Sequence, residues 1–290
     1  MQYLYIILNI TIDGNYINNY DIIVTQKQKL VLSNLHSKLR VYGEKNMKEW
    51  LDNIIKEQYT FVTCLKKDDK NLINVLENKE LHKKVIYKEY EGDCEVYKKL
   101  INIKSRNLPI VYEAIEIEEN NVKKSLIIEE YIDGISIDQI LETGLYTSSG
   151  VKKVVRELCN ALSILHRNGI VHRDIKPENI MVTDNGEVKL IDFNIARIDK
   201  NYSDDNNVND GDKDTRILGT IGFAAPEQFG ITKTDAKTDI YAVGILINVM
   251  LTGEHPSKKL CTGRWRKVVQ KCTQINPNNR YKDVLEIIKY

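Results

Sequence analysis

Short apolar stretches of β-type composition recur through the first half of the chain, at 59–65, 72–76, 85–90, 111–117 and 125–130. One stretch of helical character, 94–103, interrupts them. The pattern predicts an antiparallel sheet with a single helix, a small α+β lobe. After Gly134 the apolar spacing lengthens to the helical repeat. Val151, Val154, Leu158, Leu162 and Leu165 share one helix face, with Ser148 or Ser149 as cap and Gly169 at the end. A second helix is expected over 238–251, stopping at Gly253. Trp265, Val268, Val269 and Cys272 form a third apolar stripe, and Tyr281, Val284, Leu285 and Ile288 a fourth. Between the first two helices, 180–182 and 188–191 read as strands joined by a turn at Asn185 and Gly186. The fold class is therefore α+β, a β-rich lobe followed by a larger helical one, with the crevice between lobes as the usual place for a ligand.

The first 50 residues read less clearly. Apolar runs at 3–12 and 17–24 flank Asp13 and Gly14, a turn signal that suggests a hairpin. From Met47 the pattern turns helical, with Trp50, Ile54 and Ile55 on one face. Two readings stand: a structured N-terminal extension of unknown role, or a true start at Met47 preceded by a poorly constrained segment. The apolar run at 3–10 is far short of the roughly 20 residues of a membrane helix and lacks a basic flank and a cleavage site. A soluble, cytoplasmic chain is expected.

Composition adds exclusions. Hydrophobic residues make up 42% and charged residues 29%, ordinary for a globular protein. Lys and Arg total 42 against 41 Asp and Glu, a net charge of +1, so neither nucleic acid nor a membrane is expected as a partner. The five cysteines are scattered, with no C-x-x-C pair, which argues against a disulfide scaffold or a zinc ribbon. Five prolines and no Gly/Ser-rich run argue against a flexible interdomain linker.

The most specific signal is His172-Arg173-Asp174-Ile175-Lys176-Pro177-Glu178-Asn179, followed 13 residues beyond Asn179 by Asp192-Phe193-Asn194. Further on stand Gly219-Thr220-Ile221-Gly222-Phe223-Ala224-Ala225-Pro226-Glu227 and Asp239-Ile240-Tyr241-Ala242-Val243-Gly244. These motifs resemble the catalytic loop, the metal-binding D-F-G position, the A-P-E motif and the large-lobe helix of the eukaryotic-type (Hanks-type) serine/threonine protein kinases. The resemblance covers about 51–290 and is tightest over 172–244. It implies a bilobal fold with a small lobe at 51–131 and a large lobe at 132–290, using ATP with Mg²⁺ or Mn²⁺ and a protein substrate.

By that resemblance Asp174 accepts or orients the substrate hydroxyl proton, Lys176 faces the γ-phosphate, and Asn179 and Asp192 hold the metal through oxygen. Lys176 and Thr220, which bonds the catalytic Asp and Lys in the family, point to serine or threonine substrates. Val85-Ile86-Tyr87-Lys88 fits V-A-I-K and makes Lys88 the ligand of the α- and β-phosphates. Strand alternation puts Ile86 and Lys88 on one face, Val85 and Tyr87 on the other. The glutamate expected to pair with Lys88 is Glu95, with Glu91 and Asp93 as alternatives. Ile73, Ile86, Glu130, Ile132 and Met181 complete the nucleotide site in the same alignment, and Glu129 takes the gatekeeper position.

This chain also departs from the pattern. The glycines of the phosphate loop are replaced by Lys66, Asp68 and Asn71, side chains that should keep the backbone N–H groups from a phosphate. Lys66, Lys67 or Lys70 could offset phosphate charge, or the tip is simply solvated. Asn194 replaces the D-F-G glycine, a mild change if that backbone needs φ > 0. The segment 199–214 holds Asp199, Asp204, Asp205, Asp210, Asp212 and Asp214 against Lys200 and Lys213, an acidic loop. Arg173 with Arg197 looks like the pocket for an activation-segment phosphate on Thr215 or Ser203; alternatively the acidic loop itself substitutes for phosphate. Glu227 with Arg280 is expected to tether the A-P-E segment, and Asp239 to fix the catalytic-loop backbone. The helix that follows Gly253 in the family is expected to be shortened, and no sensor domain is expected, since the last helical stripe reaches Tyr290. A Lys, Asn and Ile bias suggests a bacterial, AT-rich source. Besides an active kinase, two other readings stand: a nucleotide-binding scaffold with little transfer activity, and a small-molecule kinase of the aminoglycoside type, which would lack the A-P-E motif and Arg173.

Overall fold

The β-type stretches of the first half pair into one antiparallel sheet. The computed structural model describes residues 11–12, 15–16, 47–119, 121–199, 220, 222–229 and 233–289. They fall into two units. The first takes in the described residues up to Ile101 together with Ile110–Tyr131, and the second Asn102–Pro109 with those from Ile132 onward.

In the first unit Thr11–Ile12 (β1) pairs antiparallel with Asn15–Tyr16 (β2). The rest of the expected N-terminal hairpin lies outside the described residues. Helix α1 (Met47–Gln58) leads into β3 (Tyr59–Lys67), β4 (Asn71–Asn78) and β5 (Lys84–Glu91). The short helix α2 (Glu95–Leu100) precedes β6 (Val111–Glu119) and β7 (Val122–Glu130), and the sheet runs β3-β4-β5-β7-β6. Because side chains alternate, the sheet has two distinct faces. One carries Leu76, Val85, Tyr87, Ile115, Ile117, Leu126 and Ile128, packed into a core that Ile54 and Ile55 of α1 help to cover. Lys48 of α1 reaches Glu89 at 3.1 Å, and Lys124 reaches Glu119 at 2.7 Å beside it. The other face carries Ile86 and Lys88, with Val75 and Ile73 opposite them on β4. Edge strand β3 leaves Phe61, Val62 and Leu65 exposed.

The helix expected over 94–103 stops at Leu100. Residues 102–109 belong instead to the second unit, where the buried Asn107 donates to the Val188 carbonyl at 2.8 Å and accepts from Leu190 N–H at 2.9 Å. A linear lobe boundary misses these long-range bonds.

After Ile132 the second unit continues with β8 (Gly134–Ser136) and α3 (Ile137–Thr143), whose Ser136 and Gln139 form a reciprocal capping box. Helix α4 (Ser148–Arg167) is the core helix, burying Val151, Val154, Val155, Leu158, Leu162 and Leu165. Its cap is Thr147, not Ser148 or Ser149: the Thr147 hydroxyl accepts from Gly150 N–H at 3.2 Å. Strands β9 (Ile170–Val171), β10 (Ile180–Thr183), β11 (Val188–Leu190) and β12 (Arg197–Ile198) form two small sheets, β11-β10-β8 and β12-β9.

Helix α5 (Ala236–Thr252) starts at an Asp235–Thr238 capping box and ends at Gly253, whose φ of 73° is the left-handed C-cap that favours glycine. Helix α6 (Arg264–Cys272) packs on α5 so closely that a Cβ on Gly244 would clash with Cys272 and Thr273. The fourth apolar stripe is a 3₁₀ segment, Val284–Lys289, lying on α4. The described residues between Gly253 and Arg264 contain no helix. Among the described residues no helix is long and apolar enough to cross a membrane.

Candidate active site

The site of the second unit is organised from Asp239, in the first turn of α5, where a carboxylate is favoured by the helix dipole. Its Oδ2 accepts from His172 N–H at 3.0 Å and its Oδ1 from Arg173 N–H at 2.8 Å, fixing the loop that follows β9. His166 Nε2 lies 2.7 Å from Oδ2. Burial opposes the charge on Asp239, yet the His166 imidazole and the backbone N–H bond from His172 hold its carboxyl below the usual value. Arg173 adopts φ 66°, uncommon for a non-glycine residue, and Gln228 donates to its carbonyl at 2.8 Å.

The next residues converge on Asp174. Thr220 Oγ1 donates to Asp174 Oδ1 at 2.8 Å and accepts from Lys176 Nζ at 2.9 Å. Lys176 Nζ also stands 3.1 Å from Asp174 Oδ2. Asn179 Nδ2 donates to the Asp174 carbonyl at 2.9 Å and to Oδ2 at 2.8 Å. Asn179 itself is set by the 3₁₀ turn Pro177–Asn179, which opens on a proline and feeds β10. One carboxylate thus takes a hydroxyl, an amide and an ammonium.

Asp192 lies beyond β11 with φ 65°, while Asn194 is not among the described positive-φ residues. The left-handed conformation thus falls at Asp192 and not at Asn194, where the replaced glycine leaves no positive-φ strain. Asn194 instead donates its N–H to Asp192 Oδ1 at 3.4 Å. Phe193 is buried edge-on against His172, ring centroids 5.0 Å apart.

His172 Nε2 faces the Ile191 carbonyl at 3.1 Å, and Nδ1 faces Asp174 N–H at 3.3 Å. A carbonyl only accepts and a backbone N–H only donates, so the ring is neutral with its proton on Nε2. Burial pushes its pKa down, against the pull of Asp239, Asp174 and Asp192. The folded chain then binds fewer protons than the unfolded chain near pH 6.5, so stability is present above that pH and lost as pH falls through it. Melting temperature should drop between pH 7.5 and 5.5, with a shallower slope for His172→Gln; equal slopes would contradict this.

In the first unit the expected pairing changes. Lys88 Nζ lies 2.7 Å from Glu129 Oε1, with both side chains buried, whereas Glu95 is exposed. The helix turn explains it: Tyr97 of α2 faces Lys88, with Oη 3.2 Å from Nζ, and residues two apart on a helix do not share a face. Glu130 spends its N–H on the Ile110 carbonyl at 2.8 Å, and its carboxylate accepts Ile110 N–H at 3.0 Å. At the β3–β4 tip, Asp68 Oδ1 accepts from Lys70 N–H and Asn71 N–H, each at 2.9 Å. Those bonds, first from Lys70 N–H and then from the Asn71 side chain, hold the Asp68 carboxyl down at about 2.

A family model for the protein kinase domain matches residues 60–287. The chain belongs to the protein kinase family. It is 35% identical over 147 residues to the serine/threonine-protein kinase PknB of Mycolicibacterium smegmatis and to that of Mycobacterium tuberculosis, covering 50% of this chain and 23% of each relative. It is 32% identical over 151 residues to the probable serine/threonine-protein kinase PknB of Corynebacterium glutamicum, covering 50% of this chain and 22% of the relative. The matches thus span about a quarter of the length of these curated relatives, which are bacterial.

In this member of the protein kinase family the structure gathers Lys176, Asn179 and Thr220 around the Asp174 carboxylate and places Asp192 beyond β11. Ile73 and Ile86 share the Lys88 face of the first sheet, while Ile132 and Met181 belong to the second unit, Ile132 buried and Met181 half-buried on β10. Arg173 Nε donates to the Ile195 carbonyl at 2.7 Å, and Arg197 pairs with Val171 across β12 and β9. Thr215 and Ser203 lie outside the described residues. Glu227 and Arg280 meet in a buried bidentate pair, 2.6 and 2.9 Å. Tyr97 beside Lys88 was not expected, although its position four residues before Ile101 on a short amphipathic turn marks it as inward-facing.

Proposed function

We propose that the chain transfers the γ-phosphoryl group of ATP to serine or threonine hydroxyls of a protein substrate. The observation that carries this reading is the Thr220–Asp174–Lys176–Asn179 constellation. Asp174, oriented through both carboxylate oxygens, takes or orients the hydroxyl proton, and Lys176 offsets charge on the group in transfer. Asn179 commits its amide nitrogen to Asp174, which leaves its Oδ1 as an acceptor. With the Asp192 carboxylate it offers the oxygen donors that a hard divalent cation such as Mg²⁺ or Mn²⁺ prefers. Two protein oxygens leave the remaining positions to phosphate and water, and the bound cation supplies charge neutralisation for the phosphates. Lys88 serves the α- and β-phosphates. The names of the bacterial relatives support the choice of serine or threonine, as do Lys176 and Thr220. Arg173 and Arg197 supply the cations for a phosphate on Thr215 or Ser203.

A second reading, a nucleotide-binding scaffold with little transfer, is favoured by one feature. The N–H groups of Lys70 and Asn71 at the β3–β4 tip are already taken by Asp68, so this tip presents its own anion where a glycine-rich loop presents open donors. Purified protein incubated with ATP, Mg²⁺ and a basic Ser/Thr peptide decides between them. New phosphoserine or phosphothreonine found by mass spectrometry supports the kinase. Nucleotide binding without any transfer, to itself or to the peptide, establishes the scaffold.

A further inference from the structure

The lysine of the V-A-I-K strand finds its carboxylate within its own sheet. Strands β5 and β7 pair Ile86 with Glu129 and Lys88 with Ile127, so Lys88 and Glu129 are diagonal neighbours on one face. At that spacing a long ammonium side chain meets a glutamate directly: the N···O distance is 2.7 Å, and the two side chains are 6% and 4% exposed. Tyr97 closes a third side, its hydroxyl 3.2 Å from Nζ and its ring centroid 5.6 Å away. A buried ammonium needs such partners, because desolvation without them would drive it neutral.

We propose that Glu129 is the positioning residue for Lys88, a strand-borne carboxylate that does the work expected of one on the helix. The proposal rests on the reading of Lys88 as a phosphate ligand. Both members of the pair sit on hydrogen-bonded neighbouring strands, so the sheet register itself sets their distance. Lys88 is held charged and aimed without a carboxylate from α2, and a displacement of α2 removes Tyr97 but not the counter-charge. The glutamate at this position also places a negative group beside the lysine that a nucleotide must reach, so the phosphates meet an ammonium already oriented and partly neutralised.

The experiment compares wild type with Glu129→Gln, Glu129→Asp, Glu95→Gln, Lys88→Met and the Lys88→Met/Glu129→Gln pair. For each, the affinity for a fluorescent ATP analogue, kcat and KM for ATP, and the melting temperature are measured. Glu129→Gln keeps the shape and loses the charge. It should weaken nucleotide binding roughly ten- to a hundredfold, by analogy with the loss of a partner that orients a metal-ligating side chain. Glu129→Asp should recover part of that loss, and Glu95→Gln should stay within about threefold of wild type, as for an exposed charge. Once Lys88 is methionine, adding Glu129→Gln should cost nothing more, because the two act as a unit. Tighter nucleotide binding by Glu129→Gln would overturn the proposal, showing a carboxylate that competes with phosphate. A loss in Glu95→Gln equal to that of Lys88→Met would also overturn it. If Lys88→Met itself binds nucleotide like wild type, the phosphate-ligand reading fails first, and the pairing loses its purpose with it. Should Glu129→Gln melt too early to assay, the Glu129→Asp affinity carries the test, and a value equal to wild type would then count against the proposal.

Discussion

Replacing Asp174 with asparagine is expected to slow phosphoryl transfer by roughly 10²- to 10⁴-fold, the range for loss of a positioned general base. The carboxylate accepts from Thr220 at Oδ1 and from Asn179 at Oδ2, with Lys176 3.1 Å from Oδ2. An amide in its place can keep the Thr220 bond through its oxygen. Its NH₂ would then face the Asn179 amide and the Lys176 ammonium, donor against donor, and no atom there could take the hydroxyl proton. The loss should appear in kcat, with KM for ATP little changed, because the carboxylate acts on the nucleophile. Stability should fall by only about 1–2 kcal/mol, since the fold keeps the Thr220 bond and the Asp239 clamp on the preceding residues. Single-turnover rates beside melting curves separate the two effects. A rate within tenfold of wild type would mean that Asp174 is not the base.

The second large effect falls on stability. Arg280→Met should lower it by about 3–5 kcal/mol, the penalty for stranding one member of a buried ion pair. In a domain of this size that corresponds to roughly 6–20 °C in melting temperature. The guanidinium uses all five of its N–H groups: two on the Glu227 oxygens, and the others on the carbonyls of Lys237, Gln274 and Ile275. Its plane also lies over the Tyr241 ring, 4.9 Å to the centroid. Glu227 accepts in addition from Thr238 Oγ1 at 3.0 Å. Lysine cannot reproduce a five-donor planar fork, so Arg280→Lys should recover little. Glu227→Met combined with Arg280→Met should be less damaging than the sum of the two, because both charges leave the interior together. A shift under about 2 °C for Arg280→Met would show that the pair contributes no net stability.

How much of this was legible in the sequence depended on the range of the interaction. The catalytic loop is a run of eight neighbouring residues whose order carries its own meaning, and the strands of the first sheet announce themselves by local patterning. The Asp239 clamp and the Glu227–Arg280 tether span 66 and 53 positions, and only the resemblance to a known family made them visible. The Lys88 partner was missed because it depends on strand register, which no local pattern encodes. A signal existed all the same: Glu129 follows directly on the apolar run Leu126-Ile127-Ile128 within one strand, and a charge on a buried strand requires a counter-charge. The helix cap, Thr147, lies one or two residues before the expected Ser148 or Ser149, since all three hydroxyls suit the position and backbone geometry alone decides. Residues 102–109 could not be assigned to their unit from composition, because the bond that claims Asn107 lies 81 positions away.

Helix α1 redraws where this domain can be cut. The family match starts at residue 60, yet the sheet closes its apolar face with Ile54 and Ile55, which lie before it. A fragment trimmed to the match would turn Tyr87, Ile115, Ile117, Leu126 and Ile128 toward water as a sticky plate, the kind of surface on which copies of a protein adhere to one another. For anyone expressing the domain in isolation, the serviceable left-hand boundary is Met47 or earlier, and the helix counts as part of the fold rather than as a leader to be discarded.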